Sequence, residues 1–183
     1  HWTAHGAYAA YTAWTEAVDL NPLEPGKFNV KTVSNAFYGT TYSKANLYTI
    51  HPDMVEIYEP VDSNPCSVVF DNGKSTLDSL YDWSFLEKKD KYSLFVGGNH
   101  ALAQIDTGVH NGKHLLLIKD SYAHAFVPFL SNHFESITMV DLRYYKSALN
   151  TLMKENSVTD VLLLYNMTNF SQDSYVGSML KWK

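Results

Sequence analysis

The 183-residue chain has a single cysteine, Cys66, so no internal disulfide can staple it and cysteine usage says little about redox compartment. Arginine is nearly as scarce: of 14 basic residues only Arg143 carries a guanidinium. One arginine suits either bidentate recognition of an anion or a structural ion pair. No apolar run reaches the ~18 residues of a membrane span. Positive charge is in deficit, with 14 Lys and Arg against 19 Asp and Glu, and the net charge of −5 argues against a nucleic-acid groove. There is no initiator Met. The chain opens on His1-Trp2-Thr3, inside what reads as a motif, as expected for a fragment or processed form. Internal repeats and low-complexity segments are lacking as well.

What is abundant is apolar and aromatic. Hydrophobic residues make up 45% of the chain, with 13 Tyr, 9 Phe and 4 Trp. That is globular composition, and the length suffices for one domain with a sizeable core but hardly for two. Most of the aromatics are expected in that core. Any that are not suit a sugar-facing surface, because a ring face packs on a sugar plane while its polar tip hydrogen-bonds.

Thr3 can cap a first helix over Ala4 to Asp19, with Ala7, Tyr11, Trp14 and Val18 as its buried stripe. Asn21-Pro22 and Pro25-Gly26 end it. Residues 27–66 read as an irregular insertion over the active face, with short extended pieces at Val30 to Val33 and Phe37 to Tyr42 and an alternating run at Met54 to Tyr58. Strand-like segments follow at Ser67 to Phe70, Tyr92 to Val96, His114 to Lys119, Ser136 to Leu142 and Asp160 to Tyr165. Helical patterns separate them at Ser75 to Tyr81, Ala123 to Leu130, where Pro128 predicts a kink or early end, and Tyr145 to Asn156. Apolar strands alternating with helices predict an α/β fold: a mostly parallel sheet covered on both faces.

Ser121 is the most informative residue. It follows the apolar run His114-Leu115-Leu116-Leu117-Ile118 in Lys119-Asp120-Ser121-Tyr122-Ala123-His124, on a strand-to-helix turn. Open α/β sheets bind ligands at such carboxyl ends. There a hydroxyl can be exposed and its backbone N–H can face an anion. The plainer reading is that Asp120 or Ser121 only caps the helix. His1, just ahead of the first helix, can serve as general base if the fold brings it within about 3 Å of that serine. His1 and His5 also have the i, i+4 spacing of a helical zinc pair, but without a neighbouring Glu or an obvious third ligand. His110 and His114 share the spacing, with Asn111-Gly112 between them reading as a hairpin turn. Gly97-Gly98-Asn99 ends one predicted strand, Arg143 another and Asn166 a third. Each is a turn residue when taken alone, yet in a parallel sheet all would share one edge with Ser121.

His1-Trp2-Thr3 with Gly6-Ala7-Tyr8-Ala9-Ala10-Tyr11, Phe37-Tyr38-Gly39-Thr40, Gly98-Asn99, Lys119-Asp120-Ser121 and Val140-Asp141-Leu142-Arg143-Tyr144 together resemble the DHHW family of bacterial exported proteins. In motif order that family is similar to the SGNH-hydrolase-like acetyltransferases that decorate alginate. The resemblance spans essentially the whole chain, as the carboxyl-terminal part of a longer protein. It implies one SGNH-like, flavodoxin-like three-layer α/β/α domain over 1–183. It implies His1 as catalytic base, Ser121 as nucleophile, and Asn166 as an oxyanion-hole or substrate-binding residue. Arg143 and Asn99 match recurring positions without a firm role. The family's Asp and first His would precede His1. The activity implied is O-acetyl transfer to, or acetyl-ester hydrolysis on, a polysaccharide or cell-wall glycan at the bacterial cell envelope or outside it. A membrane-bound protein could donate the acetyl group, and neither metal nor organic cofactor is implied. The alternative is a glycan-binding module that keeps the fold without the chemistry.

Overall fold

The computed structural model describes residues 1–45, 49–172 and 176–177. It shows a mixed α/β protein. β1 (Phe28–Phe37) and β2 (Asp53–Pro60) form a two-stranded antiparallel ribbon. The main sheet has six strands: β3 (Ser67–Phe70), β4 (Ser75–Leu77), β5 (Leu102–Asp106), β6 (His114–Lys119), β7 (Ser136–Val140) and β8 (Asp160–Leu164). Their order is β4-β3-β5-β7-β6-β8. The helices are α1 (Ala4–Ala17), α2 (Thr40–Ala45), α3 (Val127–Leu130), α4 (Leu149–Glu155) and α5 (Met167–Gln172).

The expectation of a mostly parallel sheet is corrected. Only β6 pairs in parallel, with β7 on one side and β8 on the other, while β3–β4, β3–β5 and β5–β7 are antiparallel. The link 107–113 between β5 and β6 is too short for the dozen or so residues of a crossover, so the chain must reverse direction there. Ser75 to Tyr81, expected as helix, begins with strand β4. The turn before it holds Asp71, Asn72 and Gly73 at φ 46°, 61° and 92°, and this left-handed run closes a hairpin.

Tyr92 to Val96, expected as strand, is a 3-10 turn over Lys91–Leu94 leading into a buried bend. Val96, Gly97 and Gly98 follow at φ 53°, 63° and 85°, which no strand can accommodate. A Cβ on Gly98 would lie 2.8 Å from Ser93 Oγ, so this glycine is needed for close approach as well as for its dihedral angle. Residues 27–66 carry the β1–β2 ribbon, which takes in the expected extended piece at Val30 to Val33 and the alternating run at Met54 to Tyr58, and whose register shifts between Thr32 and Ser34 and again between Ser34 and Phe37. Much of β1 faces water, so its sequence shows no sustained alternation, whereas the alternating run Met54 to Tyr58 is the body of β2.

Side-chain alternation along β6 divides the core. Leu115 and Leu117 face α1, α3 and the ribbon, packing with Tyr11, Phe126, Phe129, Ile57 and Tyr58. Leu116 and Ile118 face the other way, onto Leu149 and Leu152 of α4. Thr3 caps α1 by accepting from Gly6 N at 3.0 Å. The buried stripe of α1 is Ala4, Ala7, Tyr11 and Thr15. Val18 is left out at 47% exposure, because the helix stops at Ala17 and Asp19 turns left-handed at φ 55°. The Tyr11 hydroxyl, at 2.6 Å from His133 Nε2 and accepting from Leu23 N at 2.8 Å, ties the helix to the turn after α3 and to the segment that follows α1. Pro128 causes no kink: it stands in the first turn of α3, where a missing N–H leaves nothing unpaired.

Candidate functional site

β6 ends at Lys119. Asp120 then caps a 3-10 turn over Ser121–Phe126, accepting from Tyr122 N at 2.8 Å. The capping reading and the site reading therefore fall on adjacent residues: Asp120 caps, and Ser121 is left at the head of the turn. The Ser121 backbone N–H has no partner among the described residues. α1, fixed by Tyr11, carries His1 over this turn. His1 Nε2 and Ser121 Oγ are 2.9 Å apart, although 120 positions separate them in the chain. The imidazole stacks on Tyr92 with centroids 3.9 Å apart and planes 10° from parallel. Tyr92 is itself fixed, its hydroxyl donating to Tyr122 O at 3.1 Å and accepting from Ala125 N at 3.2 Å. Burial pushes its phenol pKa well above the usual range, so it stays a neutral platform. Trp2 meets Tyr122 and Phe126 edge-on and closes the flank.

The remaining sequence candidates do lie along this edge. Arg143 and Asn166 follow the carboxyl ends of β7 and β8, strands parallel to β6. Asn99 arrives by another route. It precedes β5, and because β5 is antiparallel its first residue Leu102 pairs with Val140, the last of β7. The expectation that Asn99 ends a strand is corrected, while its place on the edge stands.

The chemistry of these residues differs from their positions. Arg143 is committed to Asp141, with Nε to Oδ1 at 2.8 Å and Nη2 to Oδ2 at 2.6 Å. That hydrogen-bonded carboxylate raises the guanidinium pKa further, and the residue acts as a structural ion pair. Asn166 donates its backbone N–H to Asp120 Oδ2 at 3.1 Å, and its Oδ1 accepts from Asn169 N at 2.8 Å to start α5. Asn99 is exposed, and among the described residues no hydrogen bond joins it to Ser121. The Asn111-Gly112 turn is not a hairpin, since β7 lies between β5 and β6. His5 is exposed on α1, while His1 is engaged with Ser121.

Three buried polar residues beneath the turn escaped the sequence reading. Lys119, 2% exposed, has Nζ 2.8 Å from His124 Nε2 and 3.5 Å from Asp141 Oδ2. Burial pushes the Lys119 ammonium down to about 8, against the opposing pull of Asp141. Burial, reinforced by Lys119 and Arg143, holds His124 well below the ordinary imidazole range, so its neutral ring can accept from the ammonium. The signal was available: a lysine closing a Leu-Leu-Leu-Ile run is anomalous unless it is paired.

Fold and site together define a mixed α/β protein with a serine–histidine pair at the carboxyl edge of its parallel strands. The chain belongs to the DHHW family, whose sequence profile ("DHHW protein") matches residues 1–140. Among solved structures it is similar to a DHHW family protein from Eubacterium siraeum, at 27% identity and a TM-score of 0.83, over 97% of this chain and 60% of that one. It shares its fold with PatB1 of Bacillus cereus, at 20% identity and a TM-score of 0.74. In a form bearing a sulfonyl adduct the match covers 96% of this chain and 61% of that one. In another PatB1 structure it covers 100% and 64%. The chain thus spans about three fifths of the length of these relatives. No curated protein matches it.

Proposed function

We propose that this is an SGNH-like acyl-transfer domain acting on a glycan of the bacterial cell envelope or exterior, with Ser121 as nucleophile and His1 as base. The observation that carries the reading is the 2.9 Å contact between His1 Nε2 and Ser121 Oγ. As the Ser121 oxygen attacks an acetyl carbonyl carbon, its proton passes to His1 Nε2. The tetrahedral oxyanion is met by the unpartnered Ser121 N–H, a donor of the kind worth ~10²–10³ in rate. Asn99 is an exposed amide on the same edge and a further candidate donor. Asn166, whose Oδ1 is occupied, has its side-chain N–H groups left to offer. Collapse expels the alcohol, which leaves with the proton from His1. A sugar hydroxyl then gives its proton to His1 and attacks the acetyl-serine, and the intermediate collapses by breaking the bond to Ser121 Oγ, which takes that proton back from His1. With a sugar the product is an O-acetylated glycan; with water it is acetate. A carboxylate ahead of His1, as the family resemblance implies, would orient its Nδ1–H.

Turnover of p-nitrophenyl acetate tests the reading. Ser121→Ala is expected to fall to the background rate. Equal turnover by both proteins removes the enzyme and leaves the glycan-binding module. One similar structure carries a sulfonyl adduct, so a sulfonyl fluoride is the matching covalent probe. Mass spectrometry should find it on the Ser121 peptide.

A further inference from the structure

The connected end of the β1–β2 ribbon, where Phe37 pairs with Asp53, lines a cleft of about 390 Å³ together with α2 and the segment leading into β2. His1 forms one wall. Phe37, Tyr38, Thr41, Tyr42, His51 and Asp53 supply much of the rest. We infer that this cleft is the acceptor subsite of the reaction proposed above, built for a saccharide that carries neither carboxylate nor phosphate. The inference rests on that reading of His1 and Ser121.

Four observations carry it. First, His1 is shared: the residue whose ring meets Ser121 also lines the cleft, so an acceptor seated there lies against the residue that must take its proton. Second, the volume lies within the ~300–1,000 Å³ of small-molecule sites. Third, Tyr38 and Tyr42 are half-buried with ring centroids 4.3 Å apart, a double aromatic surface of the kind that packs on sugar planes. Fourth, the polar groups are unspent. Among the described residues, the Tyr38, Tyr42 and Thr41 hydroxyls and the His51 ring make no internal hydrogen bond. A ligand rich in hydroxyls can satisfy all of them at once. The lining holds no lysine or arginine, and Asp53 adds negative charge, which selects against acidic sugars.

The experiment uses p-nitrophenyl acetate as donor and two acceptors, a neutral cello-oligosaccharide and an oligogalacturonate. The p-nitrophenol burst reports acylation, and acetylated sugar reports transfer. The neutral acceptor should be preferred. The Tyr38→Ala/Tyr42→Ala double variant should raise its KM about 10-fold, and the Phe/Phe pair, which keeps the rings, should restore most of that loss. Unchanged acceptor KM in the Ala pair, or preference for the acidic acceptor, overturns the inference. A wild type with no burst defeats the serine reading instead. The cleft is then judged by NMR titration of the neutral oligosaccharide onto wild type and the Ala pair: binding that the Ala pair loses supports it, and equal or absent binding overturns it.

Discussion

Asp120 ties three parts of the molecule together, and removing its carboxylate tests that account without assuming any activity. It is fully buried and accepts from Tyr122 N at 2.8 Å, from Asn169 Nδ2 at 2.7 Å and from Asn166 N at 3.1 Å. In Asp120→Ala the lost helix cap costs about 1 kcal/mol. Each bond to a charged acceptor contributes about 1.5–3 kcal/mol when buried. Asn166 and Asn169 are only half-buried and can turn to water, so about 1 kcal/mol each is the better figure. The sum is about 3 kcal/mol, or roughly 6–12 °C in Tm for a chain of this size. Asp120→Asn should fall between wild type and the alanine variant. Its amide can accept on one side only, so either Tyr122 or the Asn166–Asn169 pair meets an N–H instead of an oxygen. Urea unfolding followed by tryptophan fluorescence reads both variants. If Asp120→Ala shifts stability by less than about 0.5 kcal/mol, the ordinary range for a neutral surface change, the carboxylate is not the tie described.

Two further predictions follow from the same region. Tyr92→Phe keeps the ring under His1 but strands the Tyr122 carbonyl and the Ala125 N–H, so thermal unfolding should show a loss of about 2–3 kcal/mol. Lys119 titrates near 8 when folded and near the ordinary 10.5 when unfolded, so between these the unfolded chain holds more protons and stability rises with pH. Above about 10 the buried phenols of Tyr81 and Tyr92, which resist ionisation, reverse the trend. Urea midpoints measured across that window should rise and then fall, and Lys119→Met should flatten the rise.

Much of the site was legible because its signals are local. β6 shows as a short dense apolar run, and the serine that follows such a strand has few places to go. The α1 stripe was readable for the same reason at Ala7 and Tyr11, while Trp14 is only half-buried and Val18 is exposed. What could not be read depends on partners distant in the chain. The direction of β5 is set by the brevity of the link to β6, not by any pattern within β5 itself. Tyr92 to Val96 looks like a strand because it is apolar, yet it is a 3-10 turn ending at a left-handed Val96. Arg143 was correctly placed on the edge with its role left open, since only the fold shows Asp141 gripping it. The Lys119–His124–Asp141 group is assembled from the end of β6, the 3-10 turn after it and the residue after β7, and no single stretch of sequence displays it.

The histidine and the serine ride on different bodies: one is carried by a helix laid over the sheet, the other is rooted in the middle strand of the parallel trio β7-β6-β8. Their separation is therefore a docking distance, governed by the seat of Tyr11 between Leu23 and His133. Loosening that seat would disarm the pair while leaving every strand where it is. Damage to chemistry and damage to folding can in this way be inflicted independently.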